Sequence, residues 1–235
     1  MNKKTIYRSM AGLVMVGFSL TSLTGCMEVT EPASNIATEG QIQNSPSSSE
    51  SFLMAMPAYF NKVNSSWVYD DGLHFPFGYG AIMYIRDLMT GDLLQSTKNY
   101  AIHFYYWAQN KYQGDGYLFG QYISTYYYNF ILTINNMVGA VNPENATDQQ
   151  LGYLGAGLAF RAMCYIDLAR MYEFLPNDRT SNINAEGNDV SGLTVPIVTA
   201  EMNQADALNN PRATHEKMKE FIESDLNKAE EYIKH

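Results

Sequence analysis

Between Leu151 and Pro176 the chain reads LGYLGAGLAFRAMCYIDLARMYEFLP, and its apolar residues recur in steps of three and four. Leu151, Leu154, Leu158, Ala162, Tyr165, Leu168, Tyr172 and Leu175 therefore share one face of an α-helix. A helix this long must lay that face against other elements, so it organises whatever packs around it. Asp148 stands where an N-cap belongs, and Pro176, which has no N–H and clashes with the preceding turn, stops the pattern. Gly152, Gly155 and Gly157 sit inside the helix, where small residues let neighbouring helices approach closely. Arg161 and Arg170 lie on the same helix and need carboxylate or carbonyl partners wherever they are covered.

A chain of 235 residues with 46% hydrophobic and 17% charged residues can bury a substantial core. Its net charge of −9 argues against nucleic acid as a partner, because phosphate binding needs a basic face. Of its two cysteines, Cys26 ends an export-type segment and Cys164 lies in the long helix, so a disulfide between them is not expected. Lys3, Lys4 and Arg8 precede the apolar run Ala11–Leu20, a secretory signal too short to remain as a membrane-spanning helix. Leu23-Thr24-Gly25-Cys26 at its end resembles a lipoprotein box, which implies acylation of the Cys26 thiol. Several acyl chains on one residue suffice for stable membrane attachment. Residues 1–25 thus read as a lipoprotein signal peptide and 26–51 as a polar, Ser- and Asn-rich lipidated tether.

The remaining residues, 52–235, read as one helical domain. Phe52, Leu53, Met56, Tyr59, Phe60 and Val63 give a first helix with an N-cap near Ser49 or Ser51. Asn64–Gly80 is an aromatic-rich loop, Ala81–Met89 a short helix closed by Thr90-Gly91-Asp92, and Lys111–Gly116 a second loop. A long helix follows over about Leu118–Val138, ending beyond the pair Asn135-Asn136. After a polar loop at Asn177–Ser191 comes an extended apolar piece, Gly192–Val198. A last helix starts at the N-cap Thr214 and carries Met218, Phe221, Ile222, Asp225, Leu226, Ala229, Tyr232 and Ile233 along one face.

Phe160-Arg161-Ala162, Tyr165, Asp167-Leu168, Arg170, Tyr172 and Pro176 resemble the signature helix of the SusD-like (RagB/SusD) family. Arg212-Ala213-Thr214 followed by Ile222-Glu223-Ser224-Asp225-Leu226-Asn227-Lys228-Ala229 resembles a second pattern of that family, in the right order. Arg161, Ala162, Tyr165, Leu168, Tyr172, Asp225 and Leu226 are the positions that carry the likeness. It implies an all-α fold of tetratricopeptide-like helix pairs, although the strict repeat motif is absent. Thr194-Val195-Pro196 departs mildly from the Gly-Leu-Pro-Leu piece such proteins carry. The likeness covers their N-terminal portion, which implies that the domain is truncated at His235.

The family comprises outer-membrane lipoproteins of Bacteroidota that bind nutrient oligomers. The likeness therefore implies a lipid-anchored protein in the outer membrane, with Glu28 and Glu31 after Cys26 favouring the cell surface. It also implies a glycan ligand and, as partner, a SusC-like TonB-dependent transporter that the protein covers as a lid. The 18 tyrosines, 11 phenylalanines and 2 tryptophans have two roles on this reading. Most pack between helices with hydroxyls at the rim. Trp67, Tyr69, Trp107 and Tyr112, in or beside Gly/Asp/Asn-rich loops, are candidates for stacking on sugar rings.

No nucleophile, metal, redox or phosphate-loop motif occurs, so neither an enzyme nor a cofactor is expected. The histidines lack metal-ligand spacing, and Asp70-Asp71 with Asp87 and Asp92 read as solvated loop residues rather than a calcium or acid pair. Cys164 reads as a buried, inert thiol. The alternative to a nutrient-binding lipoprotein is a helical lipoprotein that binds another protein, or a non-functional fragment of the binding protein.

Overall fold

The pattern at Leu151–Pro176 forms a helix, and it opens on a reciprocal cap one residue earlier than Asp148. Thr147 Oγ1 accepts the Gln150 N–H at 3.3 Å, and Gln150 Oε1 accepts the Thr147 N–H at 3.0 Å. This capping box satisfies two N–H groups that would otherwise be orphaned, and Asp148 becomes the first helical residue, where its charge suits the helix dipole. The computed structural model of the chain describes residues 46–60, 78–96, 105, 106, 109, 111, 117–177 and 181–234. They build α1 (Pro46–Phe60), α2 (Tyr79–Thr90), α3 (Leu118–Ala140), α4 (Asp148–Tyr172), α5 (Gln204–Leu208) and α6 (His215–Ile233). Extended chain contributes isolated bridges, Phe174 with Ser191, Ile183 with Asp189 and Leu193 with Thr214. The fold is all-α, as expected.

Helices α3 and α6 both run antiparallel to α4. Residues 141–147 join α3 to α4, and Tyr127 in the first half of α3 reaches Asp167 in the second half of α4. Gly155, early in α4, lies against Ala229 and Ile233 at the end of α6. Glu173, just past the end of α4, pairs with His215 at the start of α6. A third neighbour is α1, whose Tyr59 ring stacks on Phe130 of α3 at 4.4 Å and meets Tyr126 at 5.2 Å, while Phe60 lies 5.7 Å from Phe160 of α4. Because α4 is covered by both α3 and α6, it buries more than one stripe. Leu154, Leu158, Ala162, Tyr165 and Leu168 are buried as the period requires, and so are Gly155, Gly157, Arg161, Cys164 and Asp167.

Several boundaries differ from the sequence expectation, each for a local reason. The first helix starts at Pro46, not beside Ser49 or Ser51, because proline suits the first helical turn, where its missing N–H costs nothing. The long helix α4 ends at Tyr172, four residues before Pro176. Glu173 turns extended, Phe174 bridges Ser191, and Leu175 is left 69% exposed. By contrast α2 closes where expected, on Gly91 with φ of 86°, a left-handed conformation that glycine adopts without strain. The short helix α5, capped by Asn203, carried no sequence expectation. Among the described residues no helix is long and apolar enough to cross a membrane.

The three glycines of α4 are not equivalent, and this yields a graded expectation. A Cβ at Gly155 would stand 3.0 Å from the Ala229 carbonyl oxygen and 2.9 Å from Ile233 Cγ1. Backbone cannot yield cheaply, so Gly155→Ala is expected to destabilise by about 1–3 kcal/mol despite alanine's better helix propensity. At Gly157 a Cβ would overlap the terminal methyl of Met137, a flexible group that can swing away, so the net change should be small. Nothing lies within 4 Å of a Cβ at Gly152, and Gly152→Ala should stabilise by about 0.5–1 kcal/mol. Urea unfolding midpoints of the three variants check the order; a stabilised Gly155→Ala would refute the close approach of α4 and α6.

Candidate functional site

Arg161 points from α4 towards α6 and is 6% exposed. Its Nε donates to Asp225 Oδ2 at 2.7 Å and its Nη2 to Asp225 Oδ1 at 2.8 Å, a bidentate fork onto one carboxylate. Nη1 donates to Asn135 Oδ1 at 2.8 Å, and Asn135 Nδ2 in turn donates to the Val198 carbonyl at 3.0 Å. The guanidinium also lies over the Phe221 ring, 5.1 Å from its centroid. Tyr165 completes the node: its hydroxyl accepts the Val198 N–H at 2.7 Å and donates to the Val198 carbonyl at 3.1 Å. One arginine thus ties α3, α4, α6 and the extended segment together, while Arg170, which is exposed, has no need of such partners.

A second polar node lies farther along α4, towards its C-terminal end. Asp167 accepts from Tyr127 Oη at 2.9 Å, from Tyr79 Oη at 3.3 Å and from Arg86 Nη1 at 3.1 Å, joining α2, α3 and α4. Burial pushes the Tyr127 hydroxyl far above the ordinary phenol range, and the neighbouring Asp167 charge pushes it further. Burial likewise raises Tyr59 and Tyr172 to about 12. The Cys164 thiol is raised first by burial and then by Asp167, so it is not poised as a nucleophile. Arg212 forms a third node, donating to the carbonyls of Thr194 at 2.6 Å, Tyr172 at 2.7 Å and Leu193 at 3.0 Å. It thereby satisfies the last carbonyl of α4 just ahead of Thr214, whose hydroxyl caps α6 by accepting the Lys217 N–H at 3.3 Å.

Two cavities open beside these nodes. One, of about 450 Å³, lies between the second half of α4 and the first half of α6. It has Ile166, Ala169, Met218 and Ile222 in its walls and Arg170, Glu173, His215, Lys219 and Glu223 around it. The other, of about 430 Å³, lies where α3, α4 and α6 meet the turn at 199–202. Its walls include Val138, Val141, Leu154 and Leu158, and Arg161, Glu201, Lys228 and Tyr232 supply polar groups. The Thr199 hydroxyl, the backbone N–H of Glu201 and the charges of Arg161 and Lys228 hold the Glu201 carboxyl below the usual carboxylate range.

Of the positions singled out from the sequence, Arg161, Tyr165 and Asp225 converge directly. Ala162 and Leu168 are buried beside them on α4, and Tyr172 contributes the carbonyl taken by Arg212. Leu226 sits next to Asp225 but is 43% exposed and takes no part in the node. Cys26, Trp67, Tyr69, Trp107 and Tyr112 lie outside the described residues, as do Asp70 and Asp71. Asp87 and Asp92 are exposed at the end of α2, and among the described residues no group of three His, Cys, Asp or Glu side chains could hold a metal. The partners of Asp167 carried no sequence expectation, although Arg86, the one basic residue of α2, signals a need for an anion.

Among solved structures the chain matches the crystal structure, at 1.70 Å resolution, of a SusD-like carbohydrate binding protein from Bacteroides vulgatus. The TM-score is 0.54 and the sequence identity 20%, over 79% of this chain and 35% of that one. No family model and no curated protein sequence matches the chain. At that identity the likeness is one of fold: this chain has the helical architecture of a part of a SusD-like protein, and it spans 35% of the length of the one it matches.

Proposed function

We propose that this chain is a SusD-like lipoprotein of the outer membrane that binds glycan at the cell surface and partners a SusC-like TonB-dependent transporter. The observation that carries the reading is the shared fold with a protein described as carbohydrate binding. The Leu23-Thr24-Gly25-Cys26 segment supports the anchor, and the signature residues of α4 and α6, now joined through Arg161 and Asp225, support the family. On this reading the helices are a rigid frame that holds aromatic loops, among them those bearing Trp67, Tyr69, Trp107 and Tyr112, for stacking on sugar. The frame also offers a face to the transporter. Binding, not catalysis, is the role: ligand favours a closed lid and so shifts the population towards delivery.

The test is recovery of a partner from detergent-solubilised outer membranes with a C-terminally tagged chain, followed by mass spectrometry. A TonB-dependent transporter in near-equal amount is expected; an acylated, stable protein recovered alone would remove the lid role. Metabolic labelling with a palmitate analogue should mark the native chain and not Cys26→Ala. Equal labelling of both would exclude Cys26 as the anchor. A second reading, a helical lipoprotein that binds protein, draws on one observation: Tyr122, Tyr126, Tyr127 and Tyr165 are fully used in the core and offer no ring to a ligand.

A further inference from the structure

The cavity at the junction of α3, α4 and α6 has the make-up of a binding site. Its floor includes Arg161, whose guanidinium carries five N–H donors. Three are engaged by Asp225 and Asn135, and the residue is 6% exposed. Two donors remain on a side chain fixed by its other bonds and cannot swing out to solvent. Glu201 and Lys228 bring an acceptor and further donors, and the half-buried Tyr232 ring faces the same space as Val138 and Leu158.

The balance of charge restricts the occupant. Arg161 is neutralised by Asp225, and Lys228 is offset by Glu201, so the site carries donors and acceptors without net charge. A phosphate, carboxylate or amine would bring a charge that nothing there compensates. A volume of about 430 Å³ is at the small end of ligand pockets, with one apolar wall and one polar edge. That combination suits a ring with C–H groups on its face and hydroxyls around its rim.

We propose that this cavity is a second saccharide subsite, which takes a single uncharged pyranose between Arg161, Glu201, Lys228 and Tyr232. The inference rests on the glycan-binding reading and adds a place for one sugar residue within the helical frame. Arg161 and Glu201 orient the hydroxyls, and Tyr232 supports the ring face.

The experiment is isothermal titration of the full chain in detergent with glucose, galactose, mannose and N-acetylglucosamine, and with glucuronate and glucosamine as charged counterparts. A neutral oligosaccharide series is titrated in parallel. Glu201→Gln, Lys228→Met and Tyr232→Leu probe the cavity from its rim, and Glu173→Gln, in the other cavity, is the control. At least one neutral monosaccharide is expected to bind, with its Kd raised about ten-fold by each rim variant and unchanged by the control. Equal affinities in native and rim-variant chains would overturn the subsite, as would tighter binding of a charged sugar. If oligosaccharides bind and no monosaccharide does, the subsite fails and the glycan reading stands. If no saccharide of either series binds, both fail.

Discussion

Replacing Asp225 with alanine is expected to lower the unfolding free energy by about 3–5 kcal/mol, the largest effect of any single change considered for this protein. The reason is what it leaves behind. Arg161 is covered by α3, α6 and the Phe221 ring, and its forked bonds to Asp225 are its only counter-charge within hydrogen-bonding reach among the described residues. With Asp225 gone, a guanidinium stays buried without an anion, a state far more costly than loss of the attraction itself. A domain with a net stability of about 5–15 kcal/mol would be left marginal or unfolded at 37 °C. Removing both charges tests this account. Arg161→Met with Asp225→Leu should recover more than half of the loss, with Asn135 Oδ1, now lacking its donor, holding back about 1–3 kcal/mol. Urea titrations of the two chains decide it. If Asp225→Ala costs under about 1 kcal/mol, as an exposed pair would, this node does not fasten α4 to α6.

The second large effect is expected at Asp167, where alanine should cost about 2–4 kcal/mol. Tyr127 is fully buried, so its hydroxyl would lose its acceptor with no water to replace it. Tyr79 would lose a longer bond at 3.3 Å, and Arg86, whose side chain is 30% exposed, can turn to solvent and contributes less. Asp167→Asn keeps an acceptor but not the charge, and should lie between alanine and the native chain. Tyr127→Phe, which removes the donor while Asp167 retains two others, should cost only about 1 kcal/mol. If alanine and asparagine prove equal, the carboxylate charge, not the acceptor, is what α2 and α3 need.

These two nodes show where a sequence speaks and where it stays silent. The existence and face of α4 were legible because its period repeats within the helix and needs no knowledge of the neighbours. Its start was legible to within one residue, since Thr147-x-x-Gln150 is itself a capping box and Asp148 is a plausible but second choice. The start of α1 was obscured because Pro46 and the serines after it look like linker until a helix is seen to need a proline in its first turn. That Arg161 required a partner followed from chemistry. That the partner is Asp225, 64 residues away, carried no sequence expectation: family likeness singled out both residues without pairing them, and nothing local couples them. Asp167 stands in the same signature, and its partners were equally hidden: Tyr127 and Tyr79 stand 40 and 88 residues away, and a tyrosine carries no pattern that marks its hydroxyl for a carboxylate. The candidate stacking residues were found by composition alone, and composition does not place a ring.

The three carbonyls gathered by Arg212 have a consequence for how such a chain can vary. Tyr172, Leu193 and Thr194 are held at one point, so the stretch that leaves α4 returns to where it departed, and Phe174 and Ser191 meet at its base. An excursion closed in this way can change its length without moving the helices it springs from. The entropy of closing a loop grows only with the logarithm of its length, by about 0.6 kcal/mol for each doubling. The segment between Phe174 and Ser191 is therefore where insertion, deletion and wholesale rewriting are least costly. Chains built on this frame can acquire new surfaces there while the paired helices beneath stay as they are.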